Sequence, residues 1–211
     1  SLHDALPILL VTHKIDVIFA THDTVCEKLA EMDDLAGCYL VNGDRETTRI
    51  ARRKSLTYQR FAGASWIPHV YAMGETPKSW PVIVKPDCGQ GGNGIALAAN
   101  EEQLAQSIAG SDMPVIVEYL PGRELTVDCF TNRRGELVWA GPRTRERVRA
   151  GITMRSQSVA LDDEIAAIAR EINAGLTLRG PWFFQLKQDS AQRWKLLEVS
   201  CRVAGTMVAQ R

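Results

Sequence analysis

Two groups of side chains in this sequence have types and spacings that could handle phosphate chemistry. The first is Lys85 followed by Gly89-Gln90-Gly91-Gly92-Asn93-Gly94. Glycines carry no Cβ, so backbone N–H groups in such a loop can approach phosphate oxygens closely. An ammonium at the end of the strand entering the loop can meet the same oxygens. The second group is Gln185, Glu198 and Ser200, expected to face one another across a hairpin. Glu198 and Ser200 are two residues apart and share a strand face. A carboxylate flanked by oxygen-bearing side chains suits Mg²⁺ when phosphates and water complete its octahedron. Arg202 continues that face with a cation suited to a phosphoryl group or an anionic substrate. Gln185 stands in an apolar run with Trp182, Phe183 and Phe184, where a buried amide would need partners. Each group also has a plain reading: a mobile glycine turn beside a surface lysine, and an amphipathic hairpin with its polar side in water.

The glycine loop has decoys. Residues 89–94 spell G-x-G-x-x-G, and Asp112 lies near the spacing of a ribose-binding acid. In a dinucleotide-binding fold, however, that loop opens directly into a helix. Here it leads into the strand-like run of residues 95–98, and helical spacing begins only afterwards. No Gly-Lys-Ser/Thr closes the run, and the H-R-D and D-F-G motifs of a protein kinase are absent.

The elements that must position these residues follow from periodicity. Residues 15–20 and 39–41 read as short strands, with helical spacing at Val25, Leu29 and Met32 between them. Residues 47–61 carry basic, helically spaced residues. Residues 82–84 form a buried strand ending in Lys85-Pro86. Asn100 with Gln103 resembles a capping box opening a helix over 101–109. Strands are expected at 115–120 and 125–130, a helix over 161–174, and a closing hairpin joining 182–187 to 194–199. The chain opens on an apolar segment rather than a complete β-α unit and stops soon after its last strand. The expectation is a fragment of a longer protein.

Composition bounds the rest. The 211 residues are 45% hydrophobic and 24% charged, with 25 basic and 25 acidic side chains, so the formal charge is zero. That balance advertises neither nucleic acid nor an anionic membrane surface as a partner. No apolar stretch approaches the length of a membrane span. Five scattered cysteines without a C-x-x-C pair argue against a disulfide framework or a zinc site and fit a cytoplasmic protein. Arg143, Arg145, Arg147, Arg149 and Arg155 read either as a solvated surface loop or as an anion-collecting loop at a cleft mouth. Cys88 reads as a small filler, and the histidines show no metal spacing.

Taken together, VIVKPDCGQGGNG (82–94), VEYLPGRELTVD (117–128), FFQLKQDSAQRWKLLEVSCRVAG (183–205) and RRKSLTYQRFAGASWIP (52–68) resemble the ATP-grasp superfamily. The likeness is to its carbamoyl-phosphate-synthetase-like and carboxylate–amine ligase branches, over residues 15 to 205. It implies an α+β fold of two lobes gripping ATP, residues 47–117 and 118–211, preceded by a remnant of an α/β domain at 1–46. It implies that Lys54, Lys85 and the backbone at Gly89, Gly91, Gly92 and Gly94 meet phosphates. Ile83 and Leu197 would sandwich adenine, the backbone of Glu118, Tyr119 and Leu120 would read its edge, and Glu124 would take the ribose hydroxyls. Gln185, Glu198 and Ser200 would hold Mg²⁺ or Mn²⁺, and Arg202, with Lys85, would serve the transferred phosphoryl group. The implied reaction joins a small carboxylate to an amine or similar nucleophile. A non-catalytic ATP-binding regulatory module is the alternative. This sequence differs from the superfamily pattern at Ser200, usually asparagine, and at Arg53, usually aspartate before the first lysine.

Overall fold

The N-terminal apolar residues form helix α1 (Leu2–Thr12), followed by β1 (Val17–Ile18), α2 (Asp23–Ala30) and β2 (Tyr39–Leu40). The computed structural model describes residues 2–89, 91–149 and 151–205, so Gln90 of the expected flap lies outside the described residues. β1 and β2 pair in parallel, and Ala20, Cys26, Leu29 and Leu40 make a small core beneath them. The imidazole Nδ1 of His22 caps α2 by accepting from the Thr24 N–H at 3.3 Å.

The basic stretch expected as one helix is two, α3 (Arg45–Arg52) and α4 (Lys54–Arg60). Asp44 starts α3 by accepting from the Thr47 N–H. Arg53 breaks the run with extended backbone, φ −114° and ψ 117°. The break frees the first turn of α4 to bond elsewhere. The Ser55 N–H and hydroxyl both donate to the Asp87 carboxylate, at 2.7 and 3.0 Å, and the Lys54 N–H donates to the Asp87 carbonyl at 3.2 Å. α4 is thereby tied to the mouth of the glycine loop.

A first antiparallel sheet has the order β3-β6-β4-β5, from β3 (Val70–Tyr71), β4 (Val82–Pro86), β5 (Ala96–Ala98) and, after α5 (Glu101–Ala109), β6 (Pro114–Glu118). Its core joins Val82, Val84, Ala98 and Ile116 to Leu104 of α5. Asn100 caps α5 through the Gln103 N–H, and Gln103 Oε1 returns to the Ala99 N–H, one residue earlier than the usual box.

The larger antiparallel sheet is built from β7 (Glu124–Thr131) and β8 (Leu137–Thr144). After the small hairpin of β9 (Arg147–Arg149) and β10 (Ile152–Arg155), and helix α6 (Asp163–Gly175), it is completed by β11 (Gly180–Gln188) and β12 (Trp194–Ser200). Its order is β12-β11-β7-β8. Ile165, Ile168 and Ile172 of α6 share its core with Val127, Trp182, Phe184 and Leu196. Period-two alternation then puts Phe183 and Gln185 of β11 on the opposite face, toward the cleft. α3 and α4 also pack on β12, and Ile50 and Tyr58 join the same core. Among the described residues, no helix is long and apolar enough to cross a membrane.

Candidate functional site

A cavity of about 360 Å³ lies between the two sheets. Ile83 and Lys85 reach it from β4, Gly89, Gly91 and Gly92 from the loop after it, and Lys54 from α4. Glu118, Tyr119 and Leu120 line it where the chain leaves β6. Glu124 comes from β7, Gln185 from β11, and Leu197 and Glu198 from β12. Residues up to 144 positions apart in the chain, Lys54 and Glu198 among them, thus share one wall-to-wall space. Gly91 and Gly92 have φ of 66° and 72°, a left-handed conformation that a residue with a Cβ adopts at a cost. Gly94 does not line the cavity; it turns the chain (φ 75°) against the ring of Pro86.

Lys85 is 4% exposed, and its ammonium donates to the Tyr58 hydroxyl at 2.7 Å and to the Leu197 carbonyl at 3.4 Å. Tyr58 in turn donates to Leu197 O at 2.8 Å. Burial, then the neighbouring charge of Lys54, pulls the Lys85 pKa down to about 7, against the attraction of Glu198 and Glu124. Burial likewise pushes Glu198 up, opposed by Lys54 and Lys85. Each charge is held in a poorly solvated place and gains from a partner of opposite sign. Gln185 and Glu198 are direct register partners across β11 and β12, beside an irregularity between Gln185 and Leu186. Gln185 is half-buried at the cleft beside Glu198, the side of the hairpin on which the sequence reading put it.

A second cavity of about 400 Å³ adjoins the first, and Lys54, Gly89, Gly91, Gln185 and Glu198 line both. Ser200 and Arg202 line only the second. The Ser200 hydroxyl donates to Asp23 Oδ1 rather than turning to Gln185, and Arg202 Nη2 donates to Asp23 Oδ2 at 2.7 Å. Burial of Asp23 works against its charge, but Arg202 and Ser200 outweigh it and hold the carboxyl below its usual range.

The arginine run divides. Arg143 is not in a loop but at the end of β8, fully buried, with Nε on Asp128 Oδ2 at 2.7 Å. Burial pushes Asp128 up even against that partner. Arg145 lines both cavities, ion-paired with Glu124 at 2.6 Å and donating from Nη2 to the Gly151 carbonyl at 3.0 Å, so Glu124 faces Arg145 and, at 3.8 Å, Lys187. Arg147, Arg149 and Arg155 are exposed. Tyr58, Asp87 and Asp23 are site-shaping residues that the motifs did not single out, whereas Arg145 belongs to the run read as a possible anion-collecting loop. Tyr58 could have been found one helical turn after Lys54; Asp23 gives no local sign.

An antiparallel sheet carrying a glycine loop and a cationic strand end, set across a cleft from a second sheet whose last hairpin carries Gln185 and Glu198, is the arrangement of the ATP-grasp fold, and the chain has that fold. Residues 111–211 match the family model described as ATP-grasp in the biosynthetic pathway with Ter operon. The D-alanine–D-alanine ligase of Thermotoga maritima is 26% identical over 132 residues, 57% of this chain and 43% of that protein. The fold is shared with many solved structures, two of them the following. N5-carboxyaminoimidazole synthetase from Staphylococcus aureus, complexed with ADP, aligns over 97% of this chain and 58% of its own, at a TM-score of 0.78 and 17% identity. Biotin carboxylase from Campylobacter jejuni, in a β-γ-ATP complex, aligns over 97% and 52%, at 0.77 and 18%. The chain spans roughly half the length of the proteins it matches.

Proposed function

We propose that this chain is the nucleotide-binding part of a ligase that uses Mg-ATP to phosphorylate a carboxylate or bicarbonate, giving an acyl phosphate for attack by an amine or similar nucleophile. One observation carries the reading: Lys85, the flap glycines and the Gln185–Glu198 pair line a single cavity although the sequence separates them by about a hundred residues. In this reading Ile83 and Leu197 flank the adenine, and the backbone of residues 118–120 meets its edge. Glu124 takes the ribose in exchange for its present cations. Lys54, Lys85 and the backbone of Gly89, Gly91 and Gly92 hold the phosphates. A carboxylate oxygen of the acceptor attacks the γ-phosphorus in line, the β–γ bridging bond breaks, and ADP leaves; the nucleophile then attacks the acyl carbon and releases phosphate. The residues above bind, align and neutralise charge on the transferring oxygens.

The donor set fits a hard divalent cation in part. Glu198 offers a carboxylate and Gln185 an amide oxygen on one strand pair at the junction of the two cavities. When bound, Mg²⁺ or Mn²⁺ would neutralise phosphate charge there. Ser200, whose hydroxyl is taken by Asp23, fits the ligand role less well. That observation also favours the second reading, a nucleotide-binding regulatory module without turnover. The expected units, residues 1–46, 47–117 and 118–211, belong to the proposal. So do a cytoplasmic setting, consistent with unpaired cysteines, and small-molecule rather than nucleic-acid or membrane partners. The test is ADP formation from Mg-ATP, screened with bicarbonate, small carboxylates and amines. Acceptor-stimulated turnover supports the ligase. ATP binding without any stimulation supports the module, and no Mg-ATP binding at all overturns both.

A further inference from the structure

The acceptor end of the site is braced by a residue from the N-terminal segment. Asp23 stands in the first turn of α2, 177 residues before Ser200, and each of its carboxylate oxygens takes one partner named above: the Ser200 hydroxyl and the Arg202 guanidinium. Arg202 is otherwise held by its own neighbourhood. Nη1 donates to the Val203 carbonyl at 3.0 Å, and the guanidinium lies 5.3 Å from the centroid of the Phe183 ring. A second tie joins the same two segments. The buried Asn42 donates from Nδ2 to the Cys201 carbonyl at 2.8 Å and to the Ala20 carbonyl at 3.4 Å. Residues 200–202 are therefore fastened to residues 20–42 through both side chains and backbone.

The pair is not an ordinary surface bridge, since both side chains are only 16% exposed. Removing two charges from water is costly, and a buried pair contributes little net stability. What it does contribute is aim. An arginine has a long stem with several rotatable bonds, and its planar fork acts in a set direction only when its rotamer is locked by neighbouring bonds.

We propose that Asp23 is a positioning residue that fixes Arg202 in the second cavity, so that the N-terminal segment completes the acceptor end of the reaction centre. Ser200 braces Asp23 rather than binding the divalent cation. This rests on the reading that Arg202 faces the transferred phosphoryl group. Because Asp23 also offsets the charge of Arg202, its loss leaves an anionic acceptor bound at least as well while the guanidinium loses its direction.

The experiment uses the full chain with Asp23→Asn, Ser200→Ala and, for assignment, Arg202→Lys. Calorimetry measures Mg-ATP binding, steady-state kinetics measures bicarbonate-stimulated ADP formation, and ¹⁵N NMR follows the Arg202 Nε–H. In Asp23→Asn we expect Mg-ATP affinity within about twofold of wild type, kcat lower on the order of 10–100-fold, an acceptor KM that does not rise, and a broadened, fast-exchanging Arg202 signal. Ser200→Ala shows the same pattern more weakly and covers the case in which Asp23→Asn fails to fold. An Arg202 signal as sharp and slowly exchanging in both variants as in wild type overturns the proposal, as does a rise in KM with kcat unchanged. Failure of the nucleotide reading shows separately, as a wild-type chain that binds no Mg-ATP; the NMR comparison then still decides the role of Asp23.

Discussion

Lys85 enters the cleft from between Val84 and Pro86, and its ammonium leaves the strand into a space whose nearest polar groups are a phenol and a carbonyl. Its depressed pKa has two consequences with definite signs. Between about 7 and the ordinary lysine value of 10.5, the folded chain binds fewer protons than the unfolded one at this residue. The Lys85 contribution to stability therefore grows as pH rises through that window. A phosphate placed beside the ammonium restores its charge, so nucleotide binding at pH 8 takes up a proton; calorimetry in two buffers of different ionisation enthalpy reads this directly. Lys85→Ala abolishes the uptake and weakens Mg-ATP binding. Glu198→Ala lowers Mg-dependent turnover by on the order of 10²–10³, as for other preorganised electrostatic groups. Unchanged ATP affinity and activity in both variants would sink these roles.

At the scale of elements, turns and caps fix how the connections enter and leave the sheets. Gly122 follows β6 and hydrogen-bonds its N–H to the Gln188 carbonyl at 3.0 Å, and a Cβ there would lie 2.6 Å from the Gln188 Cβ. A side chain at 122 would push the connection between β6 and β7 off the end of β11. The Asn100 cap sits far from the cleft, so Asn100→Ala should cost about 1 kcal/mol in chemical denaturation and leave nucleotide affinity unchanged. Arg143→Ala is different. It leaves the Asp128 carboxylate buried without the guanidinium now bonded to it, a change that costs about 3–5 kcal/mol and lowers the melting temperature.

At the scale of the whole molecule, Lys85 joins the two sheets directly through the Leu197 carbonyl, and Asp87 joins them through α4. It closes the first sheet's β4 and takes the Ser55 N–H and hydroxyl of α4, a helix that packs on the second sheet. Asp87→Ala should destabilise the chain by about 1–3 kcal/mol, because two hydrogen bonds from Ser55 to a buried carboxylate are lost. It should also weaken Mg-ATP binding, because Lys54 opens the same helix. Wild-type affinity with lowered stability would show that the tie is structural alone.

The strand-loop-strand at 82–98, the capped helix after it and the β11–β12 hairpin were legible in the chain itself, because periodicity, caps and glycines act within a few residues of one another. The likeness of four spaced motifs to a known superfamily also led to the expectation that Lys85 and Glu198 face one cleft, and both line the first cavity. The split at Arg53, the strand character of residues 137–144 and the burial of Arg143 were not legible, since a basic residue written in sequence looks solvated until a carboxylate from another strand arrives. Only the tertiary structure decided what Ser200 touches. Its partner, Asp23, lies in another segment, and contacts of that reach are selected by how whole sheets pack rather than by any local preference.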